Sequence, residues 1–300
     1  MRFLLNPQFR LLLGAAVISF SPVFVALVSV SSTTSAFYRV AIGGVVLLAW
    51  LLITKGFRWP RKAVFIWLLI ASVSFAADLW FWHRSVIYLG PGLSTLIGNF
   101  QVFIMTAAGF FLLNQKPTLR QVLSIPLALF GLALIVGLDW DALSDDYRWG
   151  ILFGLLTALS YAFYLMSFRQ AQAISVHAQQ SVLPARELTI VSLVSAVLLF
   201  FVALGEGTSL AIPTLADAGW LAGYGVLAHV FGWLLIASSL AQVPAALVGL
   251  SLLLQPLLSF VWDVLIFDRQ MLPLELLGAA IAMLAIYIGS KQAPAPKAVG

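Results

Sequence analysis

Ten apolar stretches run almost without interruption along the chain, each about the twenty residues that a helix needs to cross a hydrocarbon core of roughly 30 Å. They lie at about Gln8–Ser29, Thr33–Thr54, Ala63–Ser85, Gly92–Leu113, Leu119–Leu138, Trp149–Phe168, Val182–Leu204, Ala216–Leu240, Ala245–Phe267 and Leu272–Ser290. We number them blocks 1 to 10. In 300 residues they leave no room for a soluble domain. With 62% hydrophobic and 9% charged residues, against roughly 45–50% and about 25% in soluble domains, the chain lacks the polar surface to face water. The expected fold is an all-α integral membrane protein of ten transmembrane helices. Block 1 is followed at once by block 2, so it is read as a retained helix rather than a signal peptide. The lack of Cys excludes disulfides, thiolate metal sites and a Cys nucleophile.

One pattern occurs twice. Pro91–Gly137 and Pro244–Ser290 overlay with a constant offset and no gap. In each, a Pro opens a long apolar helix, a short corner follows (Asn114-Gln115-Lys116, then Phe267-Asp268-Arg269), and a second apolar helix closes the unit. Two related halves, 1–140 and 141–300, are therefore expected, with a solute site where they meet. Charge fixes their orientation. With the N-terminus inside, the inner segments carry twelve of the sixteen basic residues, among them Lys55, Arg58, Arg61 and Lys62, against a single acid, Glu187. Cationic short loops stay cytoplasmic, so both termini are placed there. Because five spans per half is an odd number, the second half is inverted relative to the first.

Polar groups inside the spans are the candidates for function, since lipid makes them costly. Block 1 carries Pro22 beside Ser19 and Ser21, a kink whose freed carbonyls the hydroxyls can satisfy. In block 2, Arg39 is read as snorkelling to the outer interface. Block 3 ends in Asp78-Leu79-Trp80-Phe81-Trp82-His83-Arg84, divided between an aromatic belt and a cavity face, with Asp78 open to pairing with Arg84 or Arg39. In block 4, Asn99 and Gln101 point in nearly opposite directions, so one lines a path while the other joins helices. Tyr161 and Tyr164 of block 6 share an aromatic stripe that suits either core or cavity. In block 8, His229 and Trp233 follow Gly225 at four-residue intervals, a hydrogen-bonded structural pair or a functional one. Ser251, Gln255, Ser259 and Trp262 of block 9 form one polar stripe, the strongest single candidate for a pore-lining face. The candidate substrate-binding residues are Trp82, His83, Asn99, Gln101, Tyr161, Tyr164, His229, Trp233, Ser251 and Gln255. The acids of 139–146 are read as a solvated loop, and no metal or cofactor is expected.

At the duplicated stretch the chain resembles the EamA-like branch of the drug/metabolite transporter superfamily. Pro256 and Asp268 keep that family's spacing of twelve between a mid-helix Pro and an acidic corner, whereas Phe103 and Gln115 stand at the equivalent positions of the first half. Arg39, in Tyr38-Arg39-Val40-Ala41, sits where the family often places an Arg opening its second helix. The resemblance implies a basket of ten helices as two inverted five-helix repeats around a central cavity. Blocks 1, 3, 4, 6, 8 and 9 would line it, with blocks 5 and 10 as support. The chain looks most like the aromatic amino acid exporters.

The expected function is export of small organic solutes, most simply aromatic or hydrophobic amino acids, by alternating access in a bacterial-type inner membrane. The runner-up is a drug or metabolite efflux carrier of the same fold, or a channel-like pore. Hydrogen-bonding amides suit a zwitterion without a buried fixed charge. The mid-span regions are read as lacking Lys and Arg, which argues against nucleotide-sugar carriers. Only Asp78 and Asp263 lie even moderately deep among the acids, both toward the outer ends of their helices, which argues for movement down a gradient without tight proton coupling. No metal-ligating His pair, nucleophile elbow or paired deep acids point to an enzyme. The expected partners are a small-molecule solute and the lipid bilayer, with no nucleic acid, and the expected state is a monomer.

Overall fold

A computed structural model describes residues 6–101, 103, 104, 107, 118–136, 144–177, 184–240, 252 and 254–290. Block 1 is a broken helix. Pro7 opens α1 (Pro7–Ile18), and the Asn6 side chain caps it by accepting from the backbone of Gln8 and Phe9. Pro22 has no N–H to give Ile18, and the helix stops at Ser19–Phe20 before resuming as α2 (Ser21–Leu27). The α3 helix (Ser32–Ile53) is capped by Ser31, and α4 (Lys62–Leu89) runs for 28 residues. Gly90, with φ 82°, turns the chain and Pro91 starts α5 (Pro91–Gly98). Then come α6 (Leu119–Val136), α7 (Asp145–His177) and α8 (Pro184–Gly205).

The α8 helix closes in a Schellman turn: Gly207, with φ 65°, donates to Leu204, and Thr208 donates to Ala203. This puts Glu206 at the very end of the helix. Block 8 is α9 (Leu215–Gly223), then a π-helical stretch from Tyr224 to Gly232, then α10 (Trp233–Leu240). The last helices are α11 (Leu254–Phe267) and α12 (Pro273–Ser290).

Six spans among the described residues are long and apolar enough to cross a bilayer: Pro7–Leu27, Ser32–Ile53, Lys62–Leu89, Asp145–Ser175, Pro184–Gly205 and Leu215–Ser239. Val122–Gly131, Leu254–Phe267 and Pro273–Ile288 are shorter apolar helices. The distribution of side chains is that of a protein dissolved in lipid. Ile53, Leu52, Phe201 and Leu265 are exposed, while Arg39, Asp78, His83 and His229 are buried.

The helices pack in a regular set of pairs: α3 against α8, α4 against α7, α5 against α11, α6 against α12, and α1 against the π-helix and α10. In blocks these are 2 with 7, 3 with 6, 4 with 9, 5 with 10 and 1 with 8. Exchanging each block with the one five places along the chain returns the same set. At the α6–α12 contact the backbones themselves meet, since a Cβ on Gly131 would lie 2.7 Å from Gly278 O and Ala282 N.

Candidate functional site

The interruptions of blocks 1 and 4 face the same point at the centre of the bundle. There a cavity of about 70 Å³ is lined by Ser21 and Pro22 at the break of block 1, Gly98 and Asn99 at the end of α5, and Arg39 of α3. Phe75, Asp78 and Trp82 of α4, Thr157 and Tyr161 of α7, Trp233 of α10 and Gln255 of α11 also line it, and Ile18 of α1 and Thr95 of α5 complete the wall. The contributors include the six blocks that the resemblance implied, together with block 2 through Arg39. In this conformation the space suits about two waters and is well below the roughly 300 Å³ of the smallest usual ligand pockets.

The broken helices are locally satisfied. Phe20 N turns to Val17 O, and the Ala16 carbonyl it leaves accepts the Ser19 hydroxyl at 2.6 Å. The Ser19 carbonyl accepts from Ser259 of α11 at 3.3 Å, and Ser19 Oγ accepts from the Trp262 indole at 3.0 Å. At the other break the Asn99 amide donates to Thr95 O at 2.8 Å. Other polar atoms have no protein partner: Ser21 Oγ, Arg39 Nε, Thr157 Oγ1 and Trp233 Nε1, all on lining residues. Buried polar atoms are rarely left this way, and unpartnered ones also occur away from the cavity, at Tyr164 OH and Arg186 Nε among the described residues.

Arg39 is the largest departure from the expectation. It does not snorkel; it is 5% exposed and points inward, with its guanidinium 4.9 Å from the Tyr224 ring centroid, 5.8 Å from Trp82 and 6.0 Å from Phe75. Its Nη1 donates to Tyr224 OH at 2.8 Å, and Tyr224 OH lies 3.1 Å from His83 Nε2. The opposite ring nitrogen, His83 Nδ1, lies 2.7 Å from Leu79 O. A carbonyl can only accept, so Nδ1 carries the proton, Nε2 is the acceptor, and the Tyr224 hydroxyl donates to it while receiving Arg39. One directed chain thus holds the guanidinium in place. A buried cation at the cavity corrects the reading that the spans lack Arg at depth. The sign that could have found it is the four-residue step from Arg39 to Gly43, which packs against His229 and so marks an inward face.

Asp78 is 7% exposed and lines the same cavity. Arg84, its expected alternative partner, instead reaches Glu206 at 2.7 Å.

Of the other candidate residues, Trp82, Asn99, Tyr161, Trp233 and Gln255 line the cavity. Tyr164 lies behind that wall, stacked on Phe75 with centroids 4.5 Å apart, so the block 6 stripe is cavity at Tyr161 and core at Tyr164. His83 belongs to the chain that holds Arg39. Gln101 is buried away from the lining. His229 Nε2 lies 2.7 Å from Ser192 Oγ, whose own proton goes to Leu188 O, so His229 donates and acts as a structural link between α8 and the π-helix. Ser251 lies outside the described residues. Ser259 and Trp262, expected on the pore-lining stripe, instead tie α11 to the break in block 1.

At one end of the bundle three carboxylates bridge the two halves. Glu206 accepts from Thr33, Trp80 and Arg84, each at 2.7 Å. Burial pushes its pKa up, but these bonds, Arg84's charge and Thr208 outweigh that and hold it below the ordinary 4.5. Asp217 accepts from the Ser29 backbone and hydroxyl at 2.8 and 2.7 Å. Asp263 accepts from Gly92 N at 2.9 Å and pairs with Arg269, which also donates to Leu89 O. These three clasps fasten α8 to α3 and α4, block 8 to the α2–α3 turn, and α11 to the α4–α5 turn.

Comparison with known proteins agrees with this architecture. The model of the EamA-like transporter family matches residues 8–137 and 148–290. An uncharacterized inner membrane transporter, YhbE, of Escherichia coli K12 is 29% identical over 44% of this chain and 43% of its own length, and the proteins of the same name from E. coli O157:H7 and Shigella flexneri match equally. The match thus spans under half the length of these relatives. A solved structure described only as the crystal structure of a protein superimposes with a TM-score of 0.67 at 13% identity, covering 94% of this chain and 96% of the other. That likeness concerns the fold.

Proposed function

This chain belongs to the EamA-like transporter family, and from that premise we propose that it exports small organic solutes, chiefly amino acids with aromatic or hydrophobic side chains, across an inner membrane by alternating access. The observation that carries the reading is the central cavity, where Trp82, Tyr161, Trp233 and Phe75 supply aromatic walls while Arg39, Asp78, Asn99 and Gln255 supply polar ones. Aromatic walls with a few placed polar groups suit a small, partly apolar solute with a charged head. The acid Asp78 on the same wall makes the site a poor match for a polyanion, so nucleotide sugars stay disfavoured despite Arg39.

Alternating access is supported by the packing pairs, which are unchanged when the halves are exchanged, and by the helix breaks at the cavity, where segments can tilt. The clasps at Glu206, Asp217 and Asp263 join the halves at the end that charge distribution places outside, which supports a conformation closed on that side. The two halves are taken as inverted, with both termini in the cytoplasm.

The test is uptake and counterflow of labelled amino acids, nucleosides and cationic drugs in liposomes containing the purified protein, repeated with Trp82→Ala and Gln255→Ala. Saturable flux of aromatic amino acids with counterflow, lowered in both variants, supports the proposal. Drug flux alone favours the efflux alternative, non-saturating flux without counterflow favours a pore, and flux equal to protein-free liposomes removes transport altogether.

A further inference from the structure

Opposite charges buried together normally close into contact, because only contact and hydrogen bonding repay their desolvation. Arg39 and Asp78 are both more than nine-tenths buried and share the wall of one cavity, yet no ion pair joins them. The reason is mechanical. Arg39 Nη1 is committed to Tyr224, Tyr224 is committed to His83, and the guanidinium is wedged among the rings of Tyr224, Trp82 and Phe75. It cannot swing toward Asp78 without breaking that chain, and its Nε remains a buried donor with no protein partner.

Resting on the carrier reading above, we infer that Arg39 and Asp78 are the specificity-determining pair of this cavity, held apart as two poles that receive the carboxylate and the ammonium of one zwitterion. A solute with both charges on one carbon satisfies each pole and leaves the site's net charge unchanged. An amine lacking the carboxylate leaves Arg39 without an anion, and a carboxylate lacking the amine leaves Asp78 without a cation. Each failure strands a charge in a low-dielectric site. The rings of Trp82, Tyr161 and Trp233 on the same wall then receive the side chain.

The experiment measures calorimetric binding of L-phenylalanine, phenethylamine and 3-phenylpropionate to the full chain in nanodiscs. The wild type is expected to bind the zwitterion at least about 30-fold more tightly than either analogue, which corresponds to about 2 kcal/mol. Asp78→Asn should weaken L-phenylalanine by a similar factor while 3-phenylpropionate gains relative to phenethylamine. Arg39→Gln should shift the preference the opposite way. Size-exclusion chromatography reports whether each variant is folded, and the wild-type comparison decides alone if neither is. Equal binding of all three ligands by the wild type, no binding of L-phenylalanine, or variants that weaken all three alike would overturn the inference. The flux panel with counterflow judges transport separately, so a carrier that moves drugs but ignores zwitterions refutes this pairing and leaves the carrier standing.

Discussion

Tyr224→Phe removes a single oxygen from the centre of the bundle, and the structure says what that should cost. The hydroxyl takes a charge-assisted bond from Arg39 Nη1 at 2.8 Å and gives one to His83 Nε2 at 3.1 Å, with Tyr224 and His83 both fully buried. A hydrogen bond to a charged group is worth about 1.5–3 kcal/mol. A neutral side-chain bond inside a membrane protein averages about 0.6 and reaches about 1.7, because the unfolded chain also finds partners there. The two together give about 2–4 kcal/mol, with the lower half favoured if water in the cavity reaches the released guanidinium. Reversible unfolding in mixed micelles measures this. The sharper part is the double variant. Replacing His83 with Leu in the Tyr224→Phe background removes the stranded acceptor, so the pair should cost about 1 kcal/mol less than the sum of the single changes. A loss below about 0.5 kcal/mol for Tyr224→Phe, or strict additivity in the cycle, refutes the directed chain from Arg39 through Tyr224 to His83. Because the same chain holds the guanidinium in place, L-phenylalanine binding should weaken in parallel.

Other consequences follow from different parts of the molecule. Glu206 has a pKa depressed in the folded state, so its contribution is present above the ordinary value of 4.5 and is lost as pH falls through the folded value. Thermal scans from pH 6 to 3 should show the wild type losing its advantage over Glu206→Gln on acidification, and a constant gap would contradict the clasp. Gly131→Ala places a methyl 2.7 Å from two backbone atoms of α12 and should cost about 1–3 kcal/mol in the same unfolding assay; an unaffected midpoint would show that the two helices separate freely. Cysteine labelling of intact cells should find the 55–62 segment and both chain ends shielded from an impermeant reagent and residue 207 accessible. Opposite protection of the two ends would break the inverted arrangement. Transport of L-phenylalanine with a neutral site should generate no steady current on a supported membrane, and a sustained current scaling with solute would show net charge movement.

How much of this was legible beforehand differs from residue to residue. Pro22 with its flanking serines announced the break in block 1, because a missing N–H is a local fact. Asn99 and Gln255 could be nominated because amides are costly in lipid, and Trp82, Tyr161 and Trp233 because each falls in a run or stripe with polar or aromatic neighbours. Their sharing one wall was not readable, since they come from five helices distant in sequence. Arg39 was misjudged for the same reason. An arginine a few residues inside a span can reach water or turn inward, and only the rings of Phe75, Trp82 and Tyr224 decide which.

By itself, then, the sequence determined the solvent and the helical class, because lipid obliges every span to satisfy its own backbone and so writes its constraint into each run of twenty residues. The tertiary structure alone decided which polar side chains converge, that Arg39 is pinned by Tyr224 and His83, and that it stands unpaired beside Asp78. Those outcomes depend on distances between helices, and no single helix carries them.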